Sequence, residues 1–159
     1  DDYDEDAEES EPAASAAPSS ATWDDVSNSR IKELHPSVQP SAIKLINDVE
    51  EELGIRLRVT QGRRTMAEQT ELYAKGRTTP GQIVTNAKAG ESYHNYGLAL
   101  DVVEIDDGIA VWDTDWSGIS EIGKRNGFEW GGDWNTPDKP HFQMTSGLSI
   151  ADLKSGKRP

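Results

Sequence analysis

The sequence predicts an α+β fold: a small single domain in which an antiparallel sheet is flanked by helices. Three patterns carry that expectation. Apolar residues first recur at helical spacing, a short segment then alternates with the period of a strand, and a dense apolar run later ends in a tight turn. Helices early and antiparallel strands late fit α+β better than a doubly wound sheet.

Taken in order, Ala42, Ile43, Leu45, Ile46, Val49 and Leu53 lie on one helical face. Ser41 is the expected cap at one end and Gly54 the stop at the other. Ile55, Leu57 and Val59 then alternate with Arg56, Arg58 and Thr60, as in a half-buried strand. Thr65 and Glu68 form a capping box ahead of a short helix through Tyr73, stopped by Gly76. Residues 77–91 are polar, carry Pro80, Gly81 and Gly90, and read as a long surface loop bordering a site. The apolar run 98–105 predicts a central strand, Asp106-Asp107-Gly108 a tight turn, and 109–112 a second strand. Ser117 opens a helix through Arg125 that Asn126 and Gly127 end, 128–130 resumes an extended path, and 141–145 is the last strand.

Charge divides the 159 residues unevenly. The first 22 hold eight acids and no base, with Pro12, Pro18 and a Ser/Ala-rich stretch, and no aliphatic larger than alanine. Such a segment cannot bury enough apolar area to offset the entropy of ordering it, so residues 1–22 are expected to be a disordered acidic tail or linker and 23–159 the folded domain. From Trp23 onward 21 acids face 16 bases, which leaves no basic footprint of the kind that phosphate backbones require. Nucleic acid is therefore excluded as a partner. A mean hydropathy of −0.73 argues against a membrane span, and a monomer is expected.

The absence of cysteine removes disulfides, thiolate metal sites and thiol nucleophiles together. It suits an oxidising, extracytoplasmic setting at least as well as a cytosolic one. A first residue other than methionine fits a mature form after loss of a signal peptide, or a trimmed chain.

Any metal site must then use His, Asp or Glu. Asp101 stands out because it interrupts the most apolar run of the chain, Leu98-Ala99-Leu100-Asp101-Val102-Val103, where a carboxylate is costly unless paired or bound to a cation. Gly97 and Ala99 fall on the same alternating face as Asp101, and their small size would leave room above it. A metal held by His94, Asp101 and His141 answers both observations, since two imidazoles and a carboxylate leave one position for water. The plainer alternative is that Asp101 pairs with an arginine or caps a turn, and that each histidine is a hydrogen-bonded, partly buried residue.

The motifs narrow the choice. Ser92-Tyr93-His94-Asn95-Tyr96-Gly97-Leu98-Ala99-Leu100-Asp101 resembles the SxHxxGxAxD signature of peptidase family M15. This family comprises zinc peptidases of peptidoglycan that include D-Ala-D-Ala carboxypeptidases, vancomycin-resistance dipeptidases and L-alanyl-D-glutamate endopeptidases. Trp130-Gly131-Gly132-Asp133-Trp134 and Asp138-Lys139-Pro140-His141-Phe142 resemble the WGGDW and DxPHF segments of the endopeptidase branch. Gly62-Arg63-Arg64-Thr65 with Glu68-Gln69 and Leu72-Tyr73 resembles the family's glycine-aromatic-arginine segment and helix start, departing from it at Arg63, where an aromatic is usual.

The resemblance implies a hedgehog/DD-peptidase-like zinc peptidase architecture, with Zn2+ on His94, Asp101 and His141 and with Asp138 as general base. It further implies that Arg64 binds or polarises the substrate beside the attacked carbonyl. Ser92 and Gln69 would support the site through hydrogen bonds at its substrate-binding edge. Trp130 and Trp134 either wall the peptide stem or pack in the core or at its rim. Asp133 and Glu129 are rival bases that the motif position disfavours, and His35 falls outside the site.

The expected activity is zinc-dependent hydrolysis of peptidoglycan stem peptides between L-Ala and D-Glu, by an enzyme placed in the periplasm, in the wall or outside the cell, including as a phage endolysin. A D-Ala-D-Ala carboxypeptidase or dipeptidase is the alternative within the family. A non-catalytic zinc-stabilised binding module, of which the hedgehog signalling domain is the example, is the alternative from another class.

Overall fold

The computed structural model describes residues 20–159, so most of the expected tail lies outside the described residues. Where the description begins, the chain is already tied to the domain: Asn28 Oδ1 accepts from the Thr22 amide and hydroxyl, and Asn47 Nδ2 donates to the Ala21 carbonyl. Helix α1 (Asp25–Ile31) follows, capped by Asp24, whose carboxylate accepts from the Ser27 amide. The same carboxylate takes a two-point ion pair from Arg58 at 2.9 Å and thereby pins the helix to the first strand. Sequence periodicity misses α1 because seven residues with only Ser27 and Ile31 buried make no pattern.

Helix α2 (Gln39–Leu53) buries Ala42, Leu45, Ile46 and Val49. It begins two residues before the expected cap. Pro40 occupies the first turn, where its missing N–H has no helical acceptor to lose, and Ser41 lies inside the helix instead of capping it.

Strand β1 (Leu57–Gln61) turns Leu57 and Val59 into the core, and α3 (Met66–Ala74) carries the capping box expected at Thr65 and Glu68. After the long loop come β2 (Ala99–Asp106) and β3 (Ile109–Val111), joined through Asp107 and Gly108. Both turn residues have positive φ, 51° and 77°, which gives the two-residue hairpin the twist its strands need. Helix α4 (Trp116–Arg125) is capped by Asp115 one residue ahead of the expected start. Strands β4 (Glu129–Trp130) and β5 (His141–Gln143) are shorter than the sequence suggests, and α5 (Ile150–Lys154) opens with a capping box, Ser149 and Asp152, that the sequence reading did not use.

The five strands pair antiparallel in the order β1-β2-β5-β4, with β3 continuing along the outer part of β2. One face of the sheet presents Leu57, Val59, Leu100, Val102 and Phe142 to α2 and α4, which form the buried core with them. Because successive side chains point to opposite faces, Asp101, His141 and Gln143 fall on the other face. The sheet is thus apolar where helices cover it and polar where the site lies. Among the described residues no helix is long and apolar enough to cross a membrane.

Candidate functional site

The site is assembled on the first half of β2. Ahead of that strand, Tyr93–Tyr96 form a 3-10 turn whose N-cap, Ser92, accepts from the His94 amide at 3.2 Å. Asn95 ties the turn down: its Oδ1 accepts from Gly90 and Ser92 amides, and its Nδ2 donates to the Arg64 carbonyl at 3.0 Å. The turn ends at Gly97 with φ 70°, and a Cβ there would press on the His35 backbone nitrogen at 2.6 Å. The expectation that Gly97 leaves room beside Asp101 is therefore corrected. The strand begins at Ala99, and the glycine is needed for a left-handed cap packed against backbone.

Register then brings the chemistry together. Asp101 pairs with His141 across β2 and β5, and the turn swings His94 over the same spot. One ligand atom from each of the three lies within 4.8 Å of the other two. Asp101 Oδ1 is 3.4 Å from His94 Nε2 and 3.2 Å from His141 Nδ1, so two different ring nitrogens face one carboxylate. The opposite nitrogens are spoken for: His94 Nδ1 lies 2.9 Å from the Gly62 carbonyl oxygen and His141 Nε2 lies 2.7 Å from Gln143 Oε1. In the neutral form of each ring those acceptors take its one N–H and the nitrogen directed at Asp101 is unprotonated; in the protonated form that nitrogen donates to Asp101 instead. Two imidazole lone pairs and a carboxylate converging on one point, with the outer nitrogens bonded, suit a divalent metal of borderline softness. The alternative in which Asp101 pairs with an arginine is not what the structure holds.

The electrostatics agree. Burial opposes ionisation of Asp101, but hydrogen bonds from His141 and His94 outweigh it and hold the carboxyl well below its ordinary range. Burial likewise disfavours a charged His141, and Asp101 reverses that, raising its pKa.

Asp138 stands beside this cluster, half exposed, with Oδ2 3.9 Å from His141 Nδ1. Burial and then the Asp101 charge push its pKa up, the direction that suits a proton acceptor. Its backbone is held by Gly131, whose carbonyl accepts from the Asp138 amide at 2.8 Å. The two rivals are placed elsewhere: Asp133 pairs with Lys124 at the surface, and Glu129 lies behind His141, bonded to Gln143 and Thr145.

Of the two arginines, Arg64 faces the site. It is half-buried, burial lowers its pKa, and the Asp101, Glu68 and Asp138 charges oppose that fall. Its Nη1 donates to Gln69 Oε1 at 2.9 Å, while its Nε is buried with no hydrogen-bond partner among the described residues. Arg63 is exposed and lines a shallow cleft with Glu33, His35, Tyr96 and Arg158.

Gln69 is fully buried, accepting from Arg64 and donating to the Ala87 carbonyl at 2.7 Å, so it joins the arginine to the long loop. Its polar atoms, like the Ser92 hydroxyl, are directed at protein partners. The Trp134 ring lies 4.9 Å from the His141 ring, tilted by 50°, and stays 40% exposed, forming one wall of the site. Trp130 donates its indole N–H to the Lys139 carbonyl and packs against the core, which makes it a brace for the Asp138 loop. Gly62 and Gln143, in contact with His94 and His141 respectively, are absent from the sequence-based site. A signal existed for Gln143, since it lies two residues after His141 and so on the same strand face, but a backbone carbonyl such as that of Gly62 leaves none.

Comparison with known proteins adds an independent line. Residues 85–144 match a family model described as D-alanyl-D-alanine carboxypeptidase. The peptidoglycan L-alanyl-D-glutamate endopeptidase CwlK of Bacillus subtilis (strain 168) is 45% identical over 124 residues, covering 70% of this chain and 74% of CwlK. Among solved structures, the Serratia marcescens L-Ala D-Glu endopeptidase ChiX superposes with a TM-score of 0.57 at 27% identity, over 76% of this chain and 87% of that one. The LD-carboxypeptidase LdcB shares the fold with a TM-score of 0.53 at 22% identity, over 79% of this chain and 77% of that one.

Proposed function

We propose, from the premise that this chain belongs to peptidase family M15 and is a metallopeptidase that hydrolyses peptidoglycan, that it cleaves the stem peptide between L-Ala and D-Glu with zinc as its metal. The observation that carries the hydrolytic reading is the convergence of His94, Asp101 and His141 within 4.8 Å, with the Asp138 carboxylate beside them. The choice of bond is supported by the 45% identity to CwlK and by the WGGDW segment, Trp130 to Trp134.

His94 Nε2, Asp101 and His141 Nδ1 would hold the zinc. When bound, it supplies Lewis acidity that acidifies a water and polarises a carbonyl. The remaining work falls to the chain. Asp138, at the edge of the cluster and with a raised pKa, takes a proton from the attacking water and returns it to the leaving amine as the C–N bond breaks. The Arg64 guanidinium, close enough to feel the Asp101 and Asp138 charges, offers its positive charge to the carbonyl oxygen that gains charge or to a substrate carboxylate. Gln69 and the Arg64 amide's bond to the His94 carbonyl keep the guanidinium in place. The Trp134 ring excludes water from one side and offers an apolar wall to the stem. Residues 23–159 form the catalytic domain in this reading, and the substrate places its work outside the cytoplasmic membrane.

The test is digestion of purified stem-peptide muropeptides by zinc-loaded and chelator-treated protein, read by mass spectrometry. Products separated between L-Ala and D-Glu are expected from the loaded protein alone. Release of terminal D-Ala instead would assign the chain to D,D-carboxypeptidases, the activity for which the matching family model is named. No cleavage by protein with bound zinc would leave the binding-module reading.

A further inference from the structure

His94 and His141 direct different nitrogens at Asp101, and different groups fix that choice. For His94 the outer partner is the Gly62 carbonyl, which can only accept, so the ring must carry its proton on Nδ1. For His141 the outer partner is a side-chain amide, and an amide can present either its oxygen or its NH2. Turned one way, Gln143 accepts from Nε2–H and leaves Nδ1 free for a metal. Turned the other way, it donates to Nε2 and requires the proton on Nδ1, where no metal could bind.

Glu129 decides between them. Its Oε1 lies 3.3 Å from Gln143 Nε2, and its Oε2 lies 3.3 Å from the Thr145 hydroxyl. An ionised carboxylate only accepts, so it takes the NH2 and turns Oε1 of Gln143 to His141 at 2.7 Å. Gln143 is buried, and β4 pairs Glu129 directly with it, so the chain of three groups runs across two neighbouring strands in fixed register.

We propose that Glu129 and Gln143 form a positioning pair that fixes the tautomer and orientation of His141 and so sets the metal affinity of the site. Neither residue touches the metal or the substrate. This rests on the reading of the cluster as a zinc site, and the two can fail separately.

The first measurement uses wild-type, metal-free protein at alkaline pH, where 15N NMR of the imidazoles reports tautomers: His141 is expected with its proton on Nε2 and His94 with its proton on Nδ1. A proton on Nδ1 of His141 would overturn the proposal. Zinc affinity, read by competition with a chelating indicator, then separates the variants. Q143L, which offers no acceptor, is expected to bind zinc about 10- to 100-fold more weakly, as supporting partners of metal ligands typically do. The exchanged pair E129Q/Q143E keeps the net charge and an acceptor for His141 Nε2–H, with the amide at 129 now donating to the carboxylate at 143, and is expected to stay within roughly threefold of wild type.

Melting temperatures of the metal-free forms show whether each variant folds. If Q143L binds zinc as tightly as wild type, or if the exchanged pair is as weak as Q143L, the positioning role is overturned while the zinc site stands. Failure of wild-type protein to bind zinc would overturn both.

Discussion

Gly131→Ala is a small change with a large expected effect, because of where its one added carbon would sit. Gly131 is buried at the start of the 3-10 turn Gly131–Asp133, and a Cβ built on it overlaps the Asp138 carbonyl oxygen. It would also lie 3.0 Å from His141 Cβ and 3.2 Å from Asp138 Cβ. None of these is the far end of a flexible side chain. They are the Asp138 backbone and the first side-chain carbons of Asp138 and His141, the proposed base and a proposed metal ligand. Restoring ordinary carbon contacts near 3.5 Å moves that segment by on the order of 1 Å. Overpacking of this kind costs about 1–3 kcal/mol of stability, and misplacing reacting groups by 1 Å costs about 100-fold in rate, roughly 2.7 kcal/mol of barrier. The assays are thermal unfolding, zinc competition and kcat/KM on a defined muropeptide, with weaker zinc binding expected because His141 is a proposed zinc ligand. A variant with activity within threefold of wild type and unchanged zinc affinity would refute the argument that this glycine sets the spacing of Asp138 and His141.

Asp138→Ala should keep stoichiometric zinc, since Asp138 is outside the three-ligand cluster, and lower kcat by about 100- to 10,000-fold; full activity would point to another base. Chelation should abolish hydrolysis and added zinc restore it, whereas activity that survives exhaustive chelation would contradict a metal-dependent mechanism. Asp24→Ala should cost about 2–3 kcal/mol in chemical denaturation, because it removes the α1 cap together with both bonds to Arg58. The Asp24 carboxyl is held below its ordinary pKa: burial opposes ionisation, but the Arg58 and Ser27 hydrogen bonds prevail. A group whose folded pKa is depressed stabilises fully above its unfolded value, about 3.9, and loses that contribution as pH falls through the folded value. Asp24→Asn should therefore flatten the acid side of the stability profile, and an unchanged slope below that pH would show that this pair is not what acid titrates.

What the sequence made legible, and what it hid, follows from how far each residue's reason lies from it along the chain. Asp101 could be singled out because its anomaly is local: a carboxylate inside an apolar run needs a partner wherever the strand goes. The α2 stripe and the Thr65 capping box are local in the same sense, and both are present, with the helix start displaced only where Pro40 takes the first turn.

Helices of seven and five residues, α1 and α5, owe their existence to what they pack against, so no period announces them. The strand partnership that sets Asp101 opposite His141 is 40 residues apart in the chain and becomes a fact only once the sheet has a register. Gln143 shows the limit most clearly. Read along the chain it is a polar residue in a short strand. Its meaning comes from His141 on its own strand face and from Glu129 on the neighbouring strand, whose carboxylate dictates which end of the amide the histidine meets. Motif residues that contact a metal are fixed by chemistry that any fold must repeat, whereas the residues that orient them can be supplied by whatever the local sheet places within reach. That is why His94, Asp101 and His141 could be put forward together from the sequence and its resemblance, and why the groups behind them required the structure.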